Sequence, residues 1–414
     1  MLDDLFVFSA TRARLRASAA GPYLDLFVEE LEALKYRPGT IRLYVAAVEH
    51  FGQWVRQRGS SVGRVDGATV AAFRDHLRVC RCREPYRGKR YRRDTLVRRS
   101  VRVFVDLLRR RGVLQALEAP PLPESVAGFE QWMRQHRGTT ERTLYNYRRV
   151  IEALLKDAGD DVSRIDAKLL RDFVLRRASA GFRRRPRADV TALRMFIRFL
   201  ASTGQCPAAL EGAVPNVASW RLAPLPRYLP HEDVERVIAS CDLSRAIGLR
   251  DRAVILLLAR LGLRAGDVRA LDFADIDWRE GSVRVSGKSR RHTRLPLPQD
   301  VGEALLAYIE KGRPTTPLRT VFLRHKTPCG PLRSVSISSI VRLALIRAGV
   351  DAPSFGAHLL RHSAASQMLR EGVSLDQIQA VLRHASLETT AIYAKVDTTS
   401  LSAIAQRWPE VAPC

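Results

Sequence analysis

The stretch DRAVILLLARLGLRAGDVRALDFADI, residues 251 to 276, decides how the second half of this chain is read. Its first part is almost wholly apolar from Ala253 to Ala259, the pattern of a buried helix; Gly262 breaks it, and a short second helix follows. Downstream, Ser282-Val283-Arg284-Val285-Ser286 and Thr293-Arg294-Leu295-Pro296-Leu297 alternate or nearly so, and the intervening GKSRRH makes a basic hairpin turn. Helical patterns then resume. The expectation is a mostly helical domain over residues 231–400 that carries one small antiparallel sheet.

Ahead of that domain, VPNVASWRLAPLPRYLP (residues 214–230) holds four prolines and few periodic apolar positions, which reads as a linker. Residues 1–213 repeat one unit in weak form. Thr40-Ile41-Arg42-Leu43-Tyr44 opens an amphipathic run, as Thr143-Leu144-Tyr145-Asn146-Tyr147 opens another. Arg64-Val65-Asp66 and Arg164-Ile165-Asp166 precede helical segments, and each Asp is placed to cap the helix that follows. Residues 101–108 ending at Gly112 parallel residues 193–200 ending at Gly204. The expected organisation is an extension (1–19), a first helical module (20–115), a second (124–213), the linker, the domain at 231–400 and a tail (401–414).

Each module carries a basic connection: RCREPYRGKRYRR at 81–93, with seven Arg or Lys, and FRRRPR at 182–187. Such runs are usually solvated loops, but the same placement in both copies favours contact with phosphates. Tyr86, Tyr91 and Phe182 are at hand to pack on sugar or base. The whole chain has a formal charge of +26 over 414 residues, of which +19 lies before residue 228 and +7 after it. A surface so cationic repels itself and implies a polyanionic partner, with nucleic acid foremost. Of the 69 basic residues 61 are Arg, whose planar fork suits phosphate and guanine, although a GC-rich genome produces the same bias.

Other classes are excluded on elementary grounds. A chain of this length with 46% hydrophobic residues forms several packed cores, so it is neither disordered nor a small stapled scaffold. Six cysteines are scattered, and the Cys80-x-Cys82 pair has no second Cys/His cluster in sequence, so neither a disulfide framework nor a metal or cofactor is expected. The N-terminus lacks a basic region ahead of a long apolar stretch, and no apolar run can span a bilayer. A cytoplasmic protein with no membrane partner is expected.

Four segments of the C-terminal half carry polar residues whose types together suit one reaction: Arg264 and Asp267; Lys288 in the hairpin turn; His358 and Arg361, three apart on one helix face; and His384 and Tyr393, nine apart. Taken singly, each has an ordinary reading as a surface pair, a core histidine or an amphipathic tyrosine. In this order and spacing, over about residues 230–400, the set resembles the tyrosine recombinase (lambda-type phage integrase) family. LGLRAGDVRAL is similar to the family's first box, VSGKSRRHTRLPLP to its lysine hairpin, and His358-x-x-Arg361, His384 and Tyr393 to its second box.

That resemblance implies catalytic roles for Arg264, Lys288, His358, Arg361, His384 and the nucleophile Tyr393, with Asp267 in support. A phenol can form a phosphodiester and later be expelled, so bond energy is conserved through strand exchange. Two guanidiniums can neutralise the phosphate as charge develops. Lys288 would protonate the departing 5′ oxygen, His358 would take the phenolic proton, and His384 would hold the phosphate. Two positions depart from the family pattern: Asp267 stands where Glu is commoner, and Arg383, placed to add a phosphate contact, stands where glycine is common.

The helical modules resemble the family's core-binding domain, which closes a C-shaped clamp on DNA with the catalytic domain. Expected DNA contacts are Arg42, Arg87, Lys89, Arg90, Arg92, Arg93, Arg183, Arg184, Arg185, Arg187, Arg290 and Arg291. The implied activity is site-specific recombination for a mobile element or phage through a 3′-phosphotyrosine, on double-stranded DNA, by a homotetramer on paired sites. The tail has an apolar pattern at Leu401, Ile404 and Trp408 that would pack on its own domain or dock into a neighbouring protomer. A type IB topoisomerase and a catalytically idle DNA-binding accessory protein are the alternatives.

Overall fold

A computed structural model describes residues 1–80, 90–115, 122–179, 186–216, 225–286, 292–384 and 386–396, and it is mainly helical with small antiparallel sheets. The chain divides into two units, one formed by Met1–Ala116 with Pro224–Cys414 and the other by Leu117–Ala223.

The first unit begins with α1 (Leu2–Leu5), α2 (Ser9–Ala17), α3 (Leu24–Ala33), α4 (Pro38–Gln57), α5 (Gly67–Val79) and α6 (Arg90–Arg110). Residues 1–19, expected as an extension, instead contribute Leu2, Leu5 and Leu15 to the same core as Phe27, Phe51 and Phe104. Leucines at these positions have no other apolar surface to cover, and burying each stabilises the module by about 1.5–3 kcal/mol before entropic costs. Arg14 reinforces the contact through an ion pair with the buried Glu49 at 2.8 Å. Asp66 caps α5 as expected, accepting the Thr69 amide at 2.7 Å.

The second unit contains α7 (Glu124–Arg137), α8 (Glu141–Asp157), α9 (Ala167–Ser179) and α10 (Pro186–Ser202) around Phe129, Ile151, Leu154, Phe173 and Phe196. Asp166 accepts the Leu169 amide at 2.7 Å and so starts α9. The buried Glu130 is gripped by Nε and Nη2 of Arg148, at 2.6 and 2.7 Å. Bidentate pairing supplies the hydrogen bonds that a desolvated carboxylate requires.

The remainder of the first unit carries α11 (His231–Ala239), α12 (Ala246–Arg260) and α13 (Ala265–Ala270). Strands β1 (Ile276–Asp277), β2 (Ser282–Ser286) and β3 (His292–Pro296) follow, then α14 (Gln299–Ala307), β4 (Leu323–Arg324), β5 (Gly330–Pro331), α15 (Ser334–Arg347), α16 (Ala357–Arg370) and α17 (Leu375–Leu382). From Ala253 to Ala259 helix α12 is apolar on every side because it is central: α11, α13, α14, α15 and α16 all pack on α12. The hairpin forms where the alternation placed it, with Val283 opposite Leu295 and Val285 opposite Thr293, and β1 adds a third antiparallel strand to β2. Val283, Val285 and Leu295 turn one face of the sheet into the core. Within this unit, Arg99 of α6 donates to the Thr327 carbonyl at 2.9 Å, which ties the N-terminal helices to the loop between β4 and β5.

Candidate active site

The apolar helix α12 has to stop before it can deliver a polar loop. It does so at Gly262, whose φ of 57° lies in the left-handed region and whose missing side chain leaves room for Leu382; a Cβ would come within 2.6 Å of the Leu382 Cδ2. The chain then reverses into α13, with Arg264 at its N-cap.

Arg361, on α16, reaches this turn. It is 4% exposed, and its guanidinium donates to the carbonyls of Gly262 and Leu382, joining the ends of α12 and α17. Burial, with the neighbouring charge of Arg264, lowers its pKa to about 10, so it stays cationic at neutral pH. Arg264 donates to the Arg383 carbonyl at 2.9 Å, and burial lowers its pKa as well. The Asp267 carboxylate does not bond the Arg264 guanidinium. It accepts the Arg264 backbone amide at 3.0 Å and pairs with the guanidinium of Arg383.

Arg383 occupies the left-handed C-cap of α17, with φ 53° and ψ 50°, where a glycine would be free of strain. Its side chain, 7% exposed, turns inward to Asp267, which is 9% exposed. The Arg383 Nε and Nη1 atoms are buried and have no hydrogen-bond partner among the described residues. Three guanidiniums thus share a site with one carboxylate. The imbalance is suited to an anion with several oxygens.

After Arg383, His384 bonds the hydroxyl of the fully buried Thr390 through Nδ1, at 2.8 Å. If that hydroxyl donates, Nε2 carries the proton and can donate to an anion. Burial, helped by Arg361 and Arg264, lowers the His384 pKa to about 4. A 3₁₀ turn, Ala391–Val396, then places Tyr393, which is 1% exposed. Its hydroxyl lies 2.8 Å from Nδ1 of His362. Burial raises the phenol to about 12 against the opposing charge of Arg361, and burial with His358 and Arg361 lowers His362 to about 4. At neutral pH the pair is therefore a protonated phenol facing a neutral imidazole, which can accept its proton.

Of the expected residues, Arg264, Asp267, Arg361, His384 and Tyr393 converge here. His358 is on the same helix but exposed, with its ring 6.4 Å from that of His362. The tyrosine's partner is thus His362, not the expected His358. His362 follows Arg361 directly and lies one helical turn from His358, a signal present in the sequence and passed over; Thr390, three residues before Tyr393, is another. Lys288, Arg290, Arg291, Arg87, Lys89, Arg183, Arg184 and Arg185 lie outside the described residues, as do the side chains of Arg90, Arg92 and Arg93. Arg187 is exposed at the start of α10. Arg42 is exposed on α4, where it donates to the Leu5 carbonyl at 3.4 Å.

Comparison with known proteins gives matches along most of the chain. Residues 227–400 match the phage integrase family. A protein of Sinorhizobium fredii (strain NBRC 101917 / NGR234) that bears the name "Putative integrase/recombinase y4rA" is 37% identical over 94% of both chains. The tyrosine recombinase XerD of Xanthomonas campestris pv. campestris is 28% identical over 71% of this chain and 95% of its own. Among solved structures, XerH site-specific recombinase bound to a palindromic difH substrate aligns with a TM-score of 0.56 at 19% identity, over 82% of this chain and 95% of that one. A lambda integrase dimer bound to a COC' core site aligns with a TM-score of 0.52 at 17% identity, over 70% and 99%. These structural likenesses speak to the fold.

Two outcomes follow from the geometry. Asp267→Ala leaves the buried Arg383 without its counter-charge and should cost about 3–5 kcal/mol in unfolding free energy, read by chemical denaturation of the full chain. Adding Arg383→Gly should restore most of that loss, since it removes the charge and relieves the left-handed backbone; no recovery would disprove the coupling. Acid is the second test. His362 and His384, depressed from 6.5 to about 4, contribute stability that is complete above pH 6.5 and lost as the pH falls toward 4. The melting temperature should drop across that window, and less steeply in His362→Gln; equal slopes would refute the assignment.

Proposed function

The chain belongs to the phage integrase family of tyrosine recombinases, and from that membership we infer that it breaks and rejoins DNA at specific sites of a mobile element through Tyr393. As a tyrosine recombinase it is an enzyme of DNA strand breakage and transesterification. The observation that carries the residue assignment is the Tyr393–His362 hydrogen bond beside an excess of buried guanidinium.

In the proposed step the Tyr393 oxygen attacks the scissile phosphorus while its proton passes to Nδ1 of His362. The bond to the 5′ oxygen of deoxyribose breaks, leaving a 3′-phosphotyrosine and a 5′ hydroxyl once that oxygen gains a proton. Lys288 is the family's donor for that proton. Arg264 and Arg361 face the non-bridging oxygens, and His384, oriented by Thr390, adds a further hydrogen bond. Attack by a 5′ hydroxyl reverses the sequence and returns the proton from His362 to the phenol. No external energy source is needed, because each phosphodiester is exchanged for a phosphotyrosine of similar energy. His358, exposed on the same helix face, is assigned to phosphate contact in place of the proton transfer first expected of it.

The division of labour along the chain belongs to the same proposal. The helical modules at 20–115 and 124–213 are taken as related DNA-gripping units, with the linker at 214–230, the catalytic domain at 231–400 and the tail at 401–414. In support, each module contains a long helix, a 3₁₀ turn, a 13-residue helix capped by Asp, and a second long helix. No described helix is long and apolar enough to cross a membrane. The enzyme is assigned to the cytoplasm, acting on double-stranded DNA as a homotetramer on two paired sites.

A nicked suicide substrate should trap a covalent protein–DNA adduct with the wild type and none with Tyr393→Phe. His362→Ala should slow adduct formation by roughly 10²–10⁴-fold, the range of a lost general base. An adduct formed by Tyr393→Phe would remove the nucleophile assignment, and a full rate in His362→Ala would remove the proton acceptor. Affinity for the duplex should fall with salt at a log-log slope of about 0.9 per phosphate neutralised. Replacing Arg183, Arg184, Arg185 and Arg187 with Gln should flatten that slope by up to about three units; an unchanged slope would place the connection away from DNA.

A further inference from the structure

The first helical module brings together three metal-ligating side chains that lie apart in the sequence. His50 projects from α4, His76 from α5, and Cys80 stands one turn after His76, at the C-cap of that helix. One ligand atom from each, two imidazole nitrogens and a sulfur, all lie within 4.8 Å of one another. Cys80 was the residue whose pairing with Cys82 alone offered too few ligands. The tertiary fold supplies two histidines from 30 and 4 residues upstream.

We propose that His50, His76 and Cys80 form a binding site for a single divalent ion of the zinc type, with water in the fourth position. A tetrahedral zinc ion with bonds of about 2.3 Å to sulfur and about 2.0 Å to nitrogen sets its S···N ligand edge at about 3.5 Å. The Cys80 Sγ and His50 Nε2 are 3.5 Å apart. A soft thiolate with two imidazoles selects zinc or cobalt over magnesium and calcium, which take oxygen ligands. The rings are already held in place. His50 meets Phe73 edge-on at 5.4 Å, His76 stacks on Phe73 at 5.8 Å, and Trp54 lies 5.9 Å from His76. All three ligands are partly exposed, so an ion can enter from solvent.

The site's place in the chain suggests what it does. Cys80 is the last described residue before the basic stretch at 81–93, so an ion there clips the C-terminus of α5 to α4. In the unfolded chain the ligands are separated, so the ion stabilises the folded module by mass action.

The test uses the full-length protein, stripped with chelator and titrated with Zn²⁺ or Co²⁺. One ion should bind per chain, the melting temperature should rise with Zn²⁺, and Co²⁺ should give a tetrahedral visible spectrum with a thiolate charge-transfer band. Cys80→Ser should abolish that band, and His50→Ala and His76→Ala should each weaken Zn²⁺ affinity at least tenfold. Cys82→Ser should retain the band. Circular dichroism of each variant without metal separates loss of a ligand from loss of fold. Failure to bind Co²⁺, or a band that survives Cys80→Ser, would overturn the proposal. Neither readout depends on recombination, so the site can fail while the assignment of Tyr393 stands.

Discussion

One carboxylate, Asp267, faces more positive charge than it can balance, and the arrangement of the catalytic domain's polar residues turns on that imbalance. Arg264 and Arg361 are held against main-chain carbonyls at the ends of α12 and α17, while Arg383 pairs with Asp267. These contacts satisfy some of their donors but none of their excess charge. Moving charges out of water is costly unless something of opposite sign arrives. In the proposed function a phosphodiester supplies that sign, with oxygens for the donors still unmet. On that proposal, substrate binding and charge balance are the same event.

Tyr393 is governed by the complementary constraint. Burial makes both the ionised phenol of Tyr393 and the charged form of His362 unfavourable, so at rest the hydrogen bond joins two neutral groups. In the proposed attack, a proton would pass between them, and a nearby phosphate would stabilise the imidazolium formed. A tyrosine kept protonated until its target arrives is protected from side reactions. Arg383 adds the steric half of this arrangement, because its strained backbone places His384 while its side chain anchors the turn to Asp267.

Much of this was legible in the residues. The apolar length of α12, the break at Gly262 and the alternation of residues 282–297 specify helix, turn and hairpin through local chemistry, and each forms where it was read. Asp66 and Asp166 announce their helices for the same reason: a carboxylate three residues before an unpaired amide is a local bond. Arg264, Arg361, His384 and Tyr393, which the structure brings together, could be singled out because their order and spacing survive in a linear string. The reading of residues 1–19 as an extension failed because Leu2, Leu5 and Leu15 are buried while Val7 and Phe8 beside them are exposed, a distinction that no local pattern draws; only the core that receives the leucines reveals their role.

What the sequence determined by itself is the set of chemical groups, the helical class and the charge that calls for a polyanion. Only the tertiary structure decided which histidine holds the tyrosine, since His358 and His362 share a helix and differ by one turn in what they face. It likewise turned Arg383 from a candidate phosphate contact into the buried partner of Asp267, across 116 residues of chain, and gathered His50, His76 and Cys80 from two helices. The physical reason is common to these cases. Hydrogen bonds within a turn are encoded by neighbours, whereas proton transfer, charge balance and metal ligation depend on distances of a few ångströms between residues far apart in the chain, and packing alone sets those distances.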